Sequence, residues 1–459
     1  MLQLMHDEII KATGGRYAVN AGDAVITGIS TDSRTIRRGD LFIPLIGENF
    51  DGHDFIGDAF EKGAAASLTQ RENVNFPGKT VILVNNTLKA LQDLAAYYRS
   101  RFDIPFIGIT GSVGKTSTKE MVACAVGARY NVLKNEGNLN NEVGVPLTIF
   151  RLDGSYEAAV VEMGMSAPGE ISALAAIVRP KVGIITNIGI SHIEKLGSRS
   201  NILKAKLELL DGLQPGGLLV LNGDDVMLGG VRDFLDCRTV TFGLGEGVDY
   251  MAYNIRSYGE NGTRFDIMDG GIEYDIHVPA PGVHNVYNAL AALAAGRELG
   301  VPVKELALGI SRYKPGQMRL NIIKTGRFTV INDAYNSSPQ SVKAALDVLE
   351  EVIAERRIAV LGDMLELGEW SSSAHREMGS YAAGKKLDYI ITVGRRALDI
   401  ARGAIESGLD PEITASFMSN AEALDYLRKV LRPGDAILVK GSRGMKMEEV
   451  VRSLAEEDW

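Results

Sequence analysis

Short apolar runs alternate along this chain with longer stretches in which apolar residues recur every three or four positions. The runs predict strands at 24–29, 41–45, 81–84, 106–110, 158–162, 182–186, 218–221, 358–361, 389–393 and 436–439. Helical spacing predicts helices over 87–101, with Thr87 as the N-cap, and over 284–299. The stretch 238–278 favours antiparallel strands. Such alternation is typical of α/β domains with largely parallel sheets.

The length and composition of the chain indicate that these strands and helices belong to several domains. The 459 residues exceed what one hydrophobic core usually organises, and 45% hydrophobic with 23% charged residues is ordinary for a globular protein. We expect three domains, over 1–103, 104–316 and 317–459.

The net charge and the cysteine content limit which binding partners and which cellular compartment we expect. A net charge of −9 argues against a nucleic-acid binder, which needs a broad basic surface. Cys124 and Cys237 lie far apart, as expected in a reducing compartment. The N-terminus lacks the basic start of a signal peptide, and no apolar run is long enough to span a bilayer. We therefore expect a cytoplasmic protein without membrane insertion.

A glycine-rich loop connects the strand 106–110 to a helix. It consists of Thr110, Gly111, Ser112, Val113, Gly114, Lys115, Thr116 and Ser117. Glycines let the backbone wrap a phosphate, and the helix N-terminus adds a favourable dipole. Lys115 would reach the outer phosphates of ATP, and the Thr116 hydroxyl would ligate Mg²⁺. The general P-loop has glycine where this chain has Ile109.

Glu162 and His192 each follow a predicted strand, at the edge where the phosphate loop is expected. Glu162 is a candidate Mg²⁺ ligand, although it could equally be a solvated strand end. For His192 the residues alone favour a structural role, because Mg²⁺ prefers oxygen ligands.

Lys206 lies on the apolar stripe of a predicted helix over 200–210, together with Leu203, Leu207 and Leu210. Lys204 and Glu208 fall on the other face. A lysine on such a stripe either extends its ammonium to solvent or is partly buried with a reactive amine. The pattern alone favours the first interpretation.

The order of these features resembles the Mur ligases, whose phosphate loop also has this form around Ile109. The resemblance covers about residues 26–452. It implies an N-terminal α/β uridine-binding domain, a central P-loop-type ATPase domain and a C-terminal Rossmann-like domain. The central domain would have a mainly parallel sheet plus a small antiparallel sheet. The segment 282–288 resembles the family's nucleotide-contacting helix, and 317–319 resembles the entry to the last domain. The resemblance therefore adds Asn285, Asn288, Arg319 and Asp333 to the ATP-binding set.

Within the family, several segments resemble most the member that joins D-alanyl-D-alanine to a UDP-linked muramoyl tripeptide. These segments are 31–34, 38–42, 47–55, 332–341, 361–368 and 440–447. The resemblance implies that UDP-MurNAc-tripeptide contacts Ser30, Thr31, Asp32, Ser33, Arg34, Gly47, Asn49, Phe50, Asp51, His53, Asn138 and Asn141. For the dipeptide it implies Asn336, Ser337 and Asp363; strand-end position alone assigns Asp333 and Asn336 jointly to nucleotide or dipeptide.

The resemblance also implies a mechanism. The tripeptide carboxylate attacks the γ-phosphate of ATP, and the dipeptide amine then displaces phosphate from the acyl phosphate. Lys115, Glu162, His192 and Lys206 would be catalytic, and two Mg²⁺ ions would be held by Thr116, Glu162, His192 and a Lys206 carbamylated by CO₂. We expect a monomer; whether the third peptide residue is lysine or diaminopimelate stays open.

Three alternatives agree less well with the sequence: another ligase of the family, including folylpolyglutamate synthase; a nucleotide switch or mechanical ATPase; and a non-catalytic relative. Folylpolyglutamate synthase lacks the uridine-type domain that residues 30–55 resemble. A nucleotide switch or mechanical ATPase needs no third domain with ligand-like loops. A non-catalytic relative would not be expected to keep all five of the residues Lys115, Thr116, Glu162, His192 and Lys206.

Overall fold

A computed structural model of the chain describes residues 3–456. Within that range the strands form four sheets, of five, seven, three and six strands. The predicted alternation of strands and helices is therefore confirmed, with most element bounds shifted by only one or two residues.

The five-stranded sheet lies in the N-terminal part of the chain. Its strands are β1 (Arg16–Val19), β2 (Gly28–Ser30), β3 (Asp40–Phe42), β4 (Ala66–Thr69) and β5 (Thr80–Leu83), and the accompanying helices are α1 (His6–Thr13), α2 (Ile56–Glu61) and α3 (Thr87–Arg99). The spatial order is β1-β5-β4-β3-β2, with β1 antiparallel to β5 and the other neighbours parallel. Phe42, Phe60 and Val81 contribute to a buried apolar cluster in this region.

Two details of this region differ from expectation. The predicted strand 24–29 starts only at Gly28, and Ile26 instead forms an isolated bridge with Leu4. Thr87 was the wrong N-cap: Asn86 caps α3, and its Oδ1 accepts from the Lys89 N–H at 2.8 Å. Thr87 is the first helical residue, and its own N–H donates to Gln70.

The seven-stranded sheet carries the phosphate loop. Its strands are β6 (Phe106–Thr110), β7 (Val132–Lys134), β8 (Ala158–Glu162), β9 (Val182–Ile185), β10 (Leu218–Asn222), β11 (Arg238–Gly243) and β12 (Tyr250–Met251). The helices between them are α4 (Lys115–Val126), α5 (Gly144–Ile149), α6 (Glu170–Val178), α7 (Ile193–Leu196), α8 (Arg199–Leu207) and α9 (Val226–Gly229). The order is β12-β11-β10-β9-β6-β8-β7.

The expectation of antiparallel strands throughout 238–278 was wrong for its first part. β11 and β12 join the seven-stranded sheet, and β11 pairs parallel with both β10 and β12. Only β13 (Tyr253–Ser257), β14 (Thr263–Asp269) and β15 (Ile272–Val278) form the small antiparallel sheet. Helices α10 (Val283–Glu298) and α11 (Val303–Ile310) follow. Alternating residues identify a strand but not its partner, which explains the error.

The last sheet has the order β16-β17-β21-β18-β19-β20, with β16 antiparallel and the rest parallel. Its strands are β16 (Asn321–Lys324), β17 (Thr329–Asp333), β18 (Arg356–Gly362), β19 (Tyr389–Val393), β20 (Thr414–Phe417) and β21 (Asp435–Lys440). Its helices are α12 (Pro339–Glu351), α13 (Ser371–Ala383), α14 (Leu398–Glu406), α15 (Asn420–Val430) and α16 (Glu448–Glu456). Alternate residues of β18 and β21 belong to two separate apolar clusters, so both sheet faces are covered.

The chain divides into two compact units. The first comprises the chain up to Ile109 together with Tyr130–Gly183 and Leu207–Gly217, and it contains Glu162. The second comprises Thr110–Arg129, Ile184–Lys206 and the chain from Leu218 onward. It contains the phosphate loop, His192, Lys206 and the last sheet.

Candidate active site

The phosphate loop has the predicted strand–loop–helix geometry. β6 ends at Thr110 and α4 begins at Lys115. Gly111 adopts φ +150° and Gly114 φ +84°. A Cβ on Gly111 would lie 1.9 Å from the Thr186 hydroxyl, so only glycine fits at this crossing. The Lys115 Nζ folds back and donates to the Gly111 carbonyl at 2.8 Å.

Asn187, which sequence reasoning missed, holds this loop from the end of β9. Its backbone carbonyl accepts from the Ser112 N–H, and its Oδ1 accepts from the Val113 N–H, both at 3.0 Å. Its Nδ2 and the Thr186 hydroxyl both donate to the Val113 carbonyl, at 2.9 and 2.7 Å. A polar pair directly after a parallel strand, at the rim where ligands bind, was the available signal.

Two hydroxyl oxygens of the loop are buried without a hydrogen-bond partner among the described residues: Thr110 Oγ1 and Ser112 Oγ. Buried polar atoms almost always have partners. Orphaned oxygens on a phosphate-binding loop are therefore consistent with groups that meet a ligand or its water.

Glu162 ends β8, and its Cα pairs in register with Ile109, the residue before the loop. Its Oε1 accepts from Asn140 Nδ2 at 2.7 Å, and its backbone is held on both sides by Asn135. Its Oε2 is buried and lacks a partner among the residues described. An oriented carboxylate oxygen that accepts no hydrogen bond is well suited to bind a cation.

No group of three or more His, Cys, Asp or Glu residues in the described range is arranged to hold a metal ion. Mg²⁺ commonly takes only one or two carboxylates and completes its shell with substrate phosphates and water. Glu162 supplies one carboxylate oxygen of this kind.

His192 precedes α7 in the left-handed conformation, with φ +61°. Its Nδ1 lies 2.6 Å from Oε2 of Glu366. Burial is the main factor that lowers the pKa of His192; the charge of Glu366 opposes this shift, and the charges of Lys115 and Lys206 reinforce it. The imidazole is therefore neutral near pH 7, as a metal ligand must be.

Lys206 is buried on α8, with 2% of its surface exposed, so the interpretation that the pattern alone favoured, an ammonium extended to solvent, was wrong. Leu203 on the same stripe is also buried. The rest of the predicted stripe was less accurate: Leu207 and Leu210 are only half-buried, whereas Ile202, Ala205 and Leu209 are buried. The cause is that α8 ends at Leu207 and the chain continues as a 3₁₀ turn, which changes the periodicity. Lys204 is exposed, as expected.

The first turns of α10 lie beside the loop. Asn288 Oδ1 accepts from the Thr118 hydroxyl at 2.8 Å, and a Cβ on Gly114 would lie 3.6 Å from that same oxygen. Asn285 Oδ1 accepts from Asn288 Nδ2 at 3.1 Å, and Asn285 donates to the Pro281 carbonyl. The structure thus brings both predicted asparagines into one buried chain of hydrogen bonds next to the loop.

In the last sheet, Asp333 at the end of β17 forms a buried pair with Lys440 at the end of β21. Lys440 Nζ lies 2.5 Å from Asp333 Oδ2 and donates to the Asn336 carbonyl at 2.9 Å. The Arg319 guanidinium lies 4.2 Å from the ring centroid of Tyr335. The structure therefore brings Arg319, Asp333 and Asn336 to one edge of the sheet.

The remaining dipeptide candidates lie close to the same edge. The Ser337 hydroxyl is buried without a partner in the described chain, and its carbonyl faces the Ser442 hydroxyl at 3.5 Å. Asp363 follows β18, and its Oδ1 accepts from the Ala397 N–H at 2.7 Å. That oxygen of Asp363 is used to hold the start of α14.

The predicted uridine-site residues form two loops of the first sheet. Ser30 ends β2 and residues 31–34 follow it, where hydrogen bonds from Arg34 lower the pKa of Asp32 to about 2. Gly47, Asn49, Phe50, Asp51 and His53 lie between β3 and α2. Phe50 packs on Gly47 yet is 61% exposed, and an exposed aromatic ring can stack on a ligand.

His53 is committed to the protein at both ring nitrogens. Nδ1 lies 2.6 Å from Asp51 Oδ1, and Nε2 accepts from the Gln70 N–H at 3.1 Å. Burial alone would raise the pKa of Asp51, but hydrogen bonds from His53 and Arg71 outweigh it and bring the value to about 2. In this structure His53 shapes the loop and has no free nitrogen for a substrate.

Asn138 and Asn141 lie apart from these loops in the sequence, between β7 and α5. The Asn138 carbonyl accepts from the Asn140 N–H, and Asn141 Oδ1 accepts from the Gly144 N–H at the start of α5. The Asn141 side chain thus satisfies the first N–H of α5, whose N-cap is Val143, whereas Asn138 lies two residues before Asn140, which orients Glu162.

Comparisons with known proteins identify relatives of this chain. Three family models match consecutive parts of the chain: "Mur ligase family, catalytic domain" at residues 25–99, "Mur ligase middle domain" at 109–296 and "Mur ligase, glutamate ligase domain" at 318–443. The UDP-N-acetylmuramoyl-tripeptide–D-alanyl-D-alanine ligase of Bacillus subtilis is 43% identical over 94% of this chain and 94% of that protein. The chain belongs to the Mur ligase family.

Solved structures of Mur ligases agree over the whole fold. MurF from Acinetobacter baumannii matches with a TM-score of 0.92 at 31% identity, covering 100% of both chains. The MurF ligase of Thermotoga maritima in complex with ADP matches with a TM-score of 0.83 at 28% identity, covering 93% of this chain and 96% of that one. The chain thus has the three-domain Mur ligase architecture. No helix among the described residues is long and apolar enough to cross a membrane.

Proposed function

We propose that this protein is an ATP-dependent ligase that joins D-alanyl-D-alanine to UDP-MurNAc-tripeptide. The products are UDP-MurNAc-pentapeptide, ADP and phosphate, and the reaction serves peptidoglycan precursor synthesis. The observation that carries the proposal is the 43% identity to the Bacillus subtilis ligase over 94% of this chain. The phosphate loop, Glu162 and His192 are residues compatible with this chemistry.

The reaction proceeds through two displacements. The tripeptide carboxylate attacks the γ-phosphorus of ATP, ADP leaves, and an acyl phosphate forms. The dipeptide amine then attacks the acyl carbon, loses a proton, and expels inorganic phosphate. Negative charge accumulates on phosphoryl oxygens in both steps, so the task of the protein is positioning and electrostatic stabilisation. Lys115 and the N–H groups at the start of α4 are the groups suited to it.

Two Mg²⁺ ions would neutralise phosphate charge in this site. Thr116 and Glu162 would hold the first, which fits the orphaned Oε2 of Glu162. His192 and Lys206 would hold the second. The buried Lys206 amine would react with CO₂ and release a proton, and the resulting carbamate provides oxygen ligands of the kind that Mg²⁺ prefers.

The substrates divide among the domains. In this proposal residues 1–103 bind the UDP-MurNAc portion, 104–316 bind ATP, and 317–459 bind nucleotide and the incoming dipeptide. The edge that carries Arg319, Asp333 and Asn336 supports the last assignment, since ligands bind where parallel strands end. The proposal includes a monomer that acts in the cytoplasm.

Phosphate release by the purified protein tests the proposal. With ATP and Mg²⁺ present, we expect release only when UDP-MurNAc-tripeptide and D-alanyl-D-alanine are both added, together with a product of pentapeptide mass. Tripeptides ending in lysine and in diaminopimelate are compared in parallel. Equal release without the dipeptide would contradict the ligase assignment, and release that needs a folate and glutamate instead would favour folylpolyglutamate synthase chemistry.

A further inference from the structure

Glu366, which the proposed mechanism does not use, contacts one of its central residues. It lies in the segment between β18 and α13, and its Oε2 is 2.6 Å from His192 Nδ1. Glu366 is 61% exposed and His192 29% exposed, so the pair lies at the rim of the site.

Both partners adopt a backbone conformation that non-glycine residues rarely take. φ is +61° for His192 and +62° for Glu366. Such conformations persist only where the surrounding structure fixes them, and they concentrate at functional sites. The side-chain contact between two residues in this conformation therefore indicates a functional role in addition to packing.

Three further contacts join the segment that contains His192 to the last domain, and none of them depends on the charges of His192 and Glu366. A Cβ on Gly189 would lie 2.2 Å from Oε1 of Gln340, and a Cβ on Gly368 would lie 3.3 Å from Glu194. Ile190 packs against the apolar cluster of the last sheet. The segment 189–194 therefore packs against the last domain along its length. The contact between His192 and Glu366 lies within this packed region.

The chemistry of the pair fixes the state of the imidazole. An ionised carboxylate can only accept, so the His192 Nδ1 must carry the proton in this hydrogen bond. In a neutral imidazole this leaves the lone pair on Nε2. Carboxylates that hold metal-binding histidines in this way orient the ring and select its tautomer.

We propose that Glu366 is a positioning residue for the ligase: it holds His192 in the Nδ1–H tautomer, which leaves the lone pair of Nε2 available to a metal ion. Because Glu366 belongs to the last domain and His192 to the central one, the site has its oriented histidine only while these domains are in contact. The inference rests on the proposed function for its role in the reaction, but its structural part can be tested without any reaction.

The structural test is the tautomer of His192 in the metal-free protein, measured by ¹⁵N NMR of labelled imidazoles. The chain has six histidines, and His192→Gln identifies the signal. We expect the Nδ1–H form in the wild type and in Glu369→Ala, which removes a neighbouring exposed carboxylate. Glu366→Ala should move the signal towards the Nε2–H form, and Glu366→Met repeats the test with a side chain of similar length. An unchanged tautomer in the folded variants would overturn the proposal.

The functional test is the Mg²⁺ dependence of phosphate release. Loss of a carboxylate that orients a metal-binding histidine typically weakens metal binding or activity by roughly 10- to 100-fold. We expect Glu366→Ala to raise the half-saturating Mg²⁺ concentration by a factor in that range, with partial rescue in Glu366→Gln, whose carbonyl still accepts. Equal Mg²⁺ dependence in Glu366→Ala and Glu369→Ala would overturn the positioning role. A wild type that shows the tautomer but no ligase activity would refute the proposed function alone.

Discussion

The side chain of Asn187 and the backbone of Val113 form a reciprocal pair of hydrogen bonds. Asn187 Oδ1 accepts from the Val113 N–H at 3.0 Å, and its Nδ2 donates to the Val113 carbonyl at 2.9 Å. The middle of the phosphate loop is thus held by the strand end that leads towards His192. A loop held in this way needs no ordering when ATP binds, which preserves binding free energy.

We expect Asn187→Ala to weaken catalysis through the loop and not through lost ligand contacts. Two hydrogen bonds of about 1 kcal/mol each correspond to roughly a 30-fold loss in kcat/KM for ATP. Steady-state kinetics with varied ATP measures it. Asn261→Ala, which changes an exposed asparagine in the turn between β13 and β14, is the control and should behave as wild type. Equal kinetics in both variants would show that the loop keeps its form without Asn187.

Glu162→Gln should abolish Mg²⁺-dependent nucleotide binding while the protein stays folded. Glutamine keeps the shape of the side chain and can still accept from Asn140, but it lacks the charge that a cation requires. We expect at least a roughly 100-fold loss of activity, in keeping with the removal of a metal ligand. Isothermal titration with ATP and Mg²⁺ is the measurement. The exposed Glu142→Gln is the matched control, and retained Mg²⁺ dependence in Glu162→Gln would disprove the assignment.

Lys206→Ala should remove turnover, whereas Lys204→Ala on the exposed side of the same helix should not. The physical reason is that a carbamate on Lys206 would supply oxygen ligands that alanine lacks. Incubation with ¹³C-labelled bicarbonate should give a carbamate NMR signal in the wild type and in Lys204→Ala only. A signal that persists in Lys206→Ala, or near-normal activity of that variant, would refute the carbamate.

Residues whose roles follow from local pattern could be predicted from the sequence. The phosphate loop is one case, because strand, glycines and helix are contiguous. Lys206 shows the limit of such a pattern: its spacing from Leu203 placed it on an apolar stripe, but the pattern favoured an ammonium extended to solvent, whereas the side chain is buried. Local periodicity reaches this far because one helical turn determines which residues share a face.

Asn187 and Glu366 could not be predicted in the same way. The role of Asn187 depends on which strand lies beside β6, and that of Glu366 depends on how two domains meet. The left-handed backbone of Glu366 leaves no trace in residue type, and the modest enrichment of histidine in this conformation is too weak a signal to predict it at His192. The parallel pairing of β11 escaped prediction for the same reason, because pairing is decided by partners distant in the chain.

His284, half-buried at the start of α10, should make stability depend on pH. Loss of solvation lowers its pKa to about 4, against opposing effects of Asp333 and Asp347. Between the ordinary value of about 6.5 and that value, the unfolded chain binds a proton that the folded chain does not. The contribution of His284 is therefore complete above about pH 6.5 and is lost as the pH falls towards 4, by at most about 3 kcal/mol.

Urea unfolding of His284→Gln at about pH 7 and about pH 5 tests this sign. The wild type should lose more stability between the two pH values than the variant does, because the variant has no proton to take up in the unfolded state. His277→Gln, which removes a histidine from the small antiparallel sheet, should retain the loss seen in the wild type. An identical loss in His284→Gln would mean that other groups cause the pH dependence.

Lys440→Met should lower the free energy of unfolding of the last domain by more than the loss of the lysine's own packing contacts would. Lys440 is 1% exposed and lies 2.5 Å from Asp333, so the variant leaves a largely buried carboxylate without its cation. Breaking a buried pair in this way costs about 3–5 kcal/mol, whereas replacing both partners is often nearly neutral. We therefore expect the double variant Lys440→Met with Asp333→Asn to recover most of the unfolding free energy measured in urea. Equal destabilisation of the single and double variants would show that packing of the lysine stem, and not the charge pair, stabilises this edge of the sheet.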